Sequence, residues 1–107
     1  MSTDMYGITD QQWLTTQRAV LTDEFAAQTA RLTELTADTG DPADVDTHAG
    51  LLAVTRANIE QLTGALRRIA EGSYGRCARC DGAIPPERLE ILPHARFCVP
   101  CQSKHEG

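Results

Sequence analysis

Four cysteines, arranged as two closely spaced pairs, are the residues with the clearest chemistry in this sequence. Two residues separate Cys77 from Cys80 and Cys98 from Cys101, and 17 residues lie between the pairs. Each C-x2-C unit can form a knuckle that presents two thiolates to one tetrahedral metal ion. The spacing therefore predicts one zinc ion held by all four cysteines.

The role expected for this zinc ion is structural. Four protein ligands complete a tetrahedral shell, so no position is left for water or substrate, and His94 and His105 are not needed as ligands. A redox-active C-x2-C is the alternative, but it requires a βαβ context that the sequence does not show. The sequence also contains no recognisable nucleophile–base pair or glycine-rich phosphate loop. We therefore do not expect an enzyme.

Length and composition favour a small module stabilised by metal. The chain has 107 residues and only five aromatic side chains, so a large globular core is not expected. The N-terminal residues lack the basic and apolar regions of a signal peptide, and no apolar run approaches the roughly 18 residues of a membrane span. We expect a cytoplasmic, monomeric protein without membrane contact, whose thiols stay reduced.

Two segments with helical periodicity precede the cysteines and must position them. The first runs from Thr9 to about Ala37 without proline or glycine. Its seam, with largely 3–4 spacing, consists of Leu14, Leu21, Phe25, Gln28, Leu32 and Leu35. The second ends at Gly72, and its seam consists of Leu52, Thr55, Ile59, Leu62, Leu66 and Ile69. Such stripes are typical of helices that pack along one face.

The residues between the two seams predict a turn. Gly40 suits the end of the first helix, Pro42 suits the start of the second, and Asp41 is placed to cap it. The fold class predicted is mainly α: a long antiparallel helical hairpin followed by a small four-cysteine zinc finger with a short helix. We divide the chain into the hairpin, residues 1–72, and the finger, residues 73–107. The alternative is an intermolecular coiled coil through the same seams.

Charge is distributed unevenly along the chain. The formal net charge is −5, with −7 on residues 1–50 and +2 on residues 51–107. Lysine and arginine are absent between Leu32 and Thr55, where the acidic residues are Glu34, Asp38, Asp41, Asp44 and Asp46. These carboxylates could be solvated turn residues and helix caps, or they could meet a metal ion or a basic surface. Neither half has the basic excess expected for sequence-specific DNA binding.

The segment from Ile69 to Cys101 resembles the DksA/TraR family of zinc-finger transcription regulators. The matching residues are Tyr74, Gly75, Cys77, Cys80, Ile84, Arg88, Leu89, Pro93, Ala95, Cys98 and Cys101. Near the predicted turn, Asp41-Pro42-x-Asp44 is similar to the D-P-x-D that the family carries at its hairpin tip. The resemblance implies a hairpin that enters the secondary channel of bacterial RNA polymerase, with tip aspartates near the active centre.

Departures from the family pattern bear on this activity. The family continues its tip motif with an alanine where this chain has Asp46, which we include among the candidate tip residues. Basic positions that help bind guanosine tetraphosphate in the family correspond to Gln61, Leu92 and Gln102, so we expect little or no response to that nucleotide. The alternative function is a zinc-stapled coiled-coil adaptor that binds another protein.

Overall fold

A computed structural model describes residues 11–37 and 45–106 of the chain. Its helices are α1, Gln11–Ala37; α2, Val45–Glu71; α3, Pro86–Ile91; and α4, Val99–Glu106. The mainly α fold class is confirmed, because α1 and α2 pack together as a hairpin and the finger contributes two short helices and no strand to the described residues. The helix caps proposed between Gly40 and Asp44 lie outside these residues.

The hairpin buries the two seams that the sequence predicted. In α1, Leu21 is buried, and the seam residues from Phe25 to Leu35 are half-buried. In α2, Thr55 and Leu62 are buried, and the other predicted seam positions are half-buried. The threonine-rich surface is compatible with a helix because several hydroxyls donate to the carbonyl four residues earlier, among them those of Thr15, Thr16, Thr29, Thr33 and Thr63.

The end of α2 is fixed by Gly72, as the sequence predicted. Gly72 has a φ of +81°, in the left-handed region that glycine adopts without a steric penalty. The Ser73 amide donates to the Arg68 carbonyl at 2.8 Å, and the Gly72 amide donates to the Ile69 carbonyl at 3.2 Å. This pair of bonds is a Schellman motif, which satisfies the last carbonyls of the helix and turns the chain into the finger.

The finger returns against the hairpin through a helix flanked by prolines. Pro86 is the first residue of α3, where its missing amide hydrogen costs nothing, and the helix ends before Pro93. An isolated antiparallel bridge joins Arg76 to Ala83 beside the first knuckle. The sequence predicted the short α3 but not α4, which begins directly after Cys98.

One apolar cluster joins the finger to the open end of the hairpin. We call this end the base; it comprises residues 11–25 and 59–72. Leu21 and Leu62 of the hairpin share the cluster with finger residues that include Tyr74, Ile84 and Leu89. Because the cluster crosses the predicted boundary at residue 72, the division into two units stays a prediction. The described helices include none that is both long and apolar enough to cross a lipid bilayer.

Candidate functional site

The four predicted cysteines converge at one point of the finger. Their sulfur atoms all lie within 4.8 Å of one another, and Cys80 Sγ lies 3.8 Å from Cys98 Sγ. With Zn–S bonds of about 2.3 Å, two sulfurs of a tetrahedral site are separated by about 3.8 Å. The donor set and its spacing therefore fit a tetrahedral zinc ion.

Local backbone geometry prepares the first knuckle to carry a thiolate. Burial alone would raise the pKa of Cys77, but hydrogen bonds from the backbone amides of Cys80, Cys98 and Arg79 outweigh it and lower that pKa to about 6. The amide of Gly82 similarly points at Cys80 Sγ, at 3.4 Å. Amide donors around a sulfur favour its ionised form, which is the form that binds metal.

The raised pKa of Cys101 indicates that the four-cysteine cluster needs a cation to ionise fully. The pKa of Cys101 is raised to about 12, first by its hydrogen bond with the Cys98 thiol and then by burial and by the other two sulfurs. Four thiolates at this spacing repel one another. A divalent ion at their centre offsets this repulsion and allows all four thiols to ionise.

Asp81 holds a backbone conformation that the first knuckle requires. Its φ is +64°, a left-handed value that aspartate tolerates better than most residues. The Asp81 carboxylate pairs with Arg76, whose Nη1 lies 3.1 Å from Oδ1. Both side chains are exposed, so the pair contributes little to stability.

Neither nearby histidine joins the four sulfurs in the metal cluster found among the described residues. The ring of His105 packs on Phe97, with 4.8 Å between centroids. His94 is half-buried, and its backbone carbonyl accepts a hydrogen bond from Arg68 Nη2 at 3.3 Å. Burial, followed by the positive charge of Arg68, lowers the pKa of His94.

A buried polar network, not predicted from the sequence, attaches the finger to α1. Gln17 Nε2 donates to Tyr74 Oη at 3.1 Å and to the Leu89 carbonyl at 2.9 Å. Tyr74 Oη in turn donates to the Pro93 carbonyl at 2.8 Å. Burial raises the pKa of Tyr74 above its ordinary value, in keeping with a protonated phenol as this donor. A further bond, from Trp13 Nε1 to Glu90 at 2.9 Å, lies at the edge of the same contact.

Gly64 makes room for a second connection between hairpin and finger. A Cβ at this position would lie 3.3 Å from Arg68 Nη1, so the absence of a side chain lets the guanidinium lie along α2 on its way to the His94 carbonyl. Gly64 lies inside α2, where glycine is less favourable than alanine by about 0.5–1 kcal/mol. The close neighbour is the Arg68 guanidinium, which itself reaches the finger, and the helix pattern does not indicate this contact.

The candidate tip residues are only partly within the described structure. Asp46 lies in the first turn of α2 and is exposed. Asp41 and Asp44 lie outside the described residues, so the grouping of these three carboxylates stays a prediction.

Gln61, Leu92 and Gln102, the neutral positions that the sequence resemblance singled out, lie together. All three line one cleft of about 590 Å³ between α2 and the finger. Their convergence on one surface was not predictable from their separation in the sequence. The expected weak response to guanosine tetraphosphate stays a prediction.

Comparisons with known proteins agree with the geometry of the finger. Residues 72–107 match the family described as the prokaryotic DksA/TraR C4-type zinc finger. The chain is 38% identical over 78 residues to the RNA polymerase-binding transcription factor DksA of Caulobacter vibrioides, an alignment that covers 69% of this chain and 55% of that protein. It is 38% identical over 53 residues to general stress protein 16O of Bacillus subtilis, covering 50% of this chain and 32% of that protein.

A solved structure has the same fold over most of the chain. The transcription factor DksA2 from Pseudomonas aeruginosa superposes with a TM-score of 0.77 at 22% identity, covering 92% of this chain and 86% of that one. The chain spans between about a third and just over half the length of the curated relatives it matches. The C4-type match and the sulfur geometry together assign one structural zinc ion to the four-cysteine site.

Proposed function

Because the chain belongs to the DksA/TraR family, we propose that it is a transcription regulator that binds bacterial RNA polymerase directly and does not read DNA. The observation that carries the proposal is the 78-residue alignment with a protein named as an RNA polymerase-binding transcription factor. The acidic N-terminal half also supports it, since a protein that binds DNA phosphates needs the opposite charge.

In this proposal the hairpin enters the secondary channel of the polymerase, and its tip, residues 38–46, acts near the active centre. Helices α1 and α2 have 27 residues each, which corresponds to a length of about 40 Å at 1.5 Å per residue. Such a rod can carry a charged tip far from the finger that holds its base. The tip carboxylates would act on groups that bear or coordinate positive charge, and so change the stability of the open complex.

The zinc ion supplies no chemistry to this function beyond holding four thiolates together. Cys77, Cys80, Cys98 and Cys101 would hold it and so keep α3 and α4 in place. Gln17 and Tyr74 then fix the finger against α1. The consequence is a rigid base that can orient the whole hairpin on a partner.

The first test measures binding to core RNA polymerase. The wild-type chain should be retained by the immobilised enzyme and should change the lifetime of promoter complexes. Asp41→Asn combined with Asp44→Asn removes two charges while keeping side-chain size and turn preference. This double variant should bind with nearly wild-type affinity and lose most of the effect on promoter complexes.

Two results would contradict the proposal in different ways. If the double variant keeps the full transcriptional effect, the carboxylates are only caps and solvated turn residues. If the wild-type chain does not bind polymerase, the zinc-stapled adaptor becomes the better function. That alternative is favoured by Asp46 in place of the family's alanine and by the neutral residues Gln61, Leu92 and Gln102.

A further inference from the structure

Polar side chains interrupt the seam of the hairpin partway along its length. Gln28 of α1 and Thr55 and Asn58 of α2 lie between the base and the rest of the two helices. Asn58 Nδ2 donates to Gln28 Oε1 at 3.4 Å, across the helix pair. We call these three residues the polar belt. We call the part of the hairpin beyond them, residues 29–37 and 45–54, the tip half.

The polar belt holds the two helices together only weakly. The bond from Asn58 to Gln28 is at the long end of the range for N–H···O bonds, and both side chains are half-buried, so water competes for it. Gln28 Nε2 also donates to Glu24 at 3.2 Å, and the buried Thr55 hydroxyl donates to the Leu51 carbonyl at 2.7 Å. Each of these two bonds stays within one helix, so neither fastens α1 to α2.

Apolar burial differs on the two sides of the polar belt. Among the described residues, the apolar cluster that includes the finger extends along the hairpin as far as Phe25 in α1 and Leu62 in α2. None of the described apolar side chains in the tip half is fully buried, and Val45, Leu51 and Val54 are exposed. Segments with few buried apolar contacts open most readily, so the tip half should open at a lower free energy than the base.

The base is held together independently of the tip half. Gln17 fastens α1 to the finger through the Leu89 carbonyl at 2.9 Å. The chain leads from α2 into the finger at Gly72, and Arg68 donates to the His94 carbonyl at 3.3 Å. If the tip half opened, it would be a loop whose two ends stay fixed by the base. The entropy cost of closing such a loop grows only slowly with its length.

We propose that the polar belt divides the hairpin into two cooperative units, and that the tip half opens locally while the base and the finger stay folded. Its functional part rests on the proposed function: a hairpin held on polymerase by its base would reorder its tip half there. The exposed Val45, Leu51 and Val54 would then gain apolar contacts that the free hairpin does not offer. Gln28 and Asn58 act on the tip through this opening and are therefore positioning residues.

A polar pair in a helical seam can instead fix the alignment of the two helices. In this chain the finger already does so, because Gln17 on α1 and the connection at Gly72 hold both helices at the base. The pair of Gln28 and Asn58 is also half-buried and joined by a long bond, which is a poor constraint on alignment. A boundary between two units accounts better for this weak contact.

Amide hydrogen exchange of the zinc-bound protein, resolved by NMR, tests for the two units. Gln28→Met combined with Asn58→Leu replaces both partners by apolar side chains of similar size, so neither is left without its hydrogen-bond partner. We call this the paired variant. Gly50→Ala is the matched control. A Cβ added at Gly50 has nothing within 4 Å, so alanine raises helix propensity in the tip half without changing the seam.

Protection from exchange should change at the polar belt. In the wild type we expect tip-half amides to exchange at least about ten-fold faster than base amides. The paired variant should remove most of this difference. Gly50→Ala should raise tip-half protection about two- to five-fold and keep the change in protection at the belt. Leu35→Ala should speed exchange in the tip half alone, because the base does not depend on that contact.

The same variants separate binding to core RNA polymerase from action on it. The paired variant keeps the base and the finger, so its affinity should match that of the wild type. Its effect on promoter-complex lifetime should fall about three-fold or more, because the tip half no longer reorders. Gly50→Ala should show a smaller decrease, in keeping with its smaller rise in protection. A residue that only stabilises the hairpin would not lower the effect when its replacement raises stability.

Other outcomes would overturn the proposal. Uniform protection along both wild-type helices would do so, as would a step at the belt that the paired variant leaves in place. If Leu35→Ala speeds exchange equally at the base, the hairpin is one unit. If the paired variant removes the step and keeps the full effect on promoter complexes, the tip acts as a rigid rod. If the wild type does not bind polymerase, the proposed function fails, while the exchange rates still decide whether the belt divides the hairpin.

Discussion

The two ends of the hairpin differ in how they are held. At the base, Leu21 is 0% and Leu62 is 4% exposed, and both contact a finger that is itself closed by four cysteines. Toward the tip, Thr55 is buried, but the leucines Leu32, Leu35 and Leu52 are only half-buried, because two helices without a third layer cannot cover each other's flanks. Stability is therefore concentrated at the base, next to the metal.

This difference in burial means that the two ends of the hairpin should respond differently to substitution. Residues near the tip can change charge with little effect on folding, since they make few buried contacts. Substitutions at the base should affect folding more, because Gln17 and Arg68 donate hydrogen bonds to backbone carbonyls of the finger. In such an arrangement, substitutions in the half of the hairpin away from the finger leave the geometry of the base unchanged.

The largest expected effect is loss of the metal. Cys98→Ser leaves three thiolates, and we expect the purified variant to lose zinc and the fold of the finger, since apparent binding energies of structural zinc reach about 10–16 kcal/mol. Helix content should also fall, because the base loses its partner. Zinc analysis and circular dichroism measure both. A metal-free chain that retains α3 and α4 in its NMR spectrum would show that the finger folds without zinc.

A smaller loss of stability is expected when the polar network at the base is cut. Gln17→Ala leaves the buried Leu89 carbonyl without its donor, which should lower the free energy of unfolding by about 1–3 kcal/mol. Gln28→Ala is the matched control, since Gln28 lies further along the same seam and is half-buried. Its cost should stay below about 1 kcal/mol. If urea unfolding gives the same loss of free energy for Gln17→Ala and Gln28→Ala, the base is not held more firmly than the rest of the hairpin.

The sequence predicts contacts within local patterns, but it does not predict contacts between residues that are far apart in the chain. The zinc ligands and the helical seams follow from spacing alone, because a knuckle and a heptad-like stripe are local patterns. Gln17 has seam spacing relative to Leu14 and Leu21, which could have marked it as buried. Its partners Tyr74 and Leu89, however, are 57 and 72 residues away, so their hydrogen bonds required the structure.

The cleft between α2 and the finger illustrates the same limit. The charge excess of the C-terminal half was visible in the sequence, but only +2 remained after Asp and Glu were counted. The fold gathers Arg67, Arg68, Arg88 and Arg96 around one cleft, and Glu60 is the acidic residue that lines it among those the structure describes. Gly64 likewise lies against the Arg68 guanidinium, a contact that the sequence of α2 alone does not indicate.

A change in stability of about 1 kcal/mol is expected at Asp81, whose backbone is in the left-handed region. Asp81→Ala keeps a Cβ at a φ of +64° and removes the local hydrogen-bonding side chain, so it should cost roughly 1 kcal/mol of stability. Asp81→Gly should be neutral or slightly stabilising, since glycine adopts this conformation freely. Thermal unfolding of the zinc-bound variants measures the difference. If both substitutions cost the same, the ion pair with Arg76 matters and the backbone does not.

The smallest effect on stability is expected at the tip, from Asp46→Ala. Asp46 lies in the first turn of α2, where a carboxylate interacts favourably with the positive end of the helix dipole by about 0.3–1 kcal/mol. It is exposed, so solvent screening places the expected loss near the lower end of that range, and alanine's higher helix propensity offsets part of it. Urea unfolding should therefore barely distinguish the variant from the wild type.

The same substitution should nevertheless be visible in function if the tip acts as proposed. Asp46→Ala restores the residue that the family carries after its D-P-x-D motif, so the effect on promoter-complex lifetime should rise or stay unchanged. Asp46→Asn is the control, because it removes the charge without restoring the alanine. If Asp46→Ala lowers activity while Asp46→Asn does not, the carboxylate is dispensable and side-chain size at this position matters. If both lower it, Asp46 is a working member of the tip together with Asp41 and Asp44.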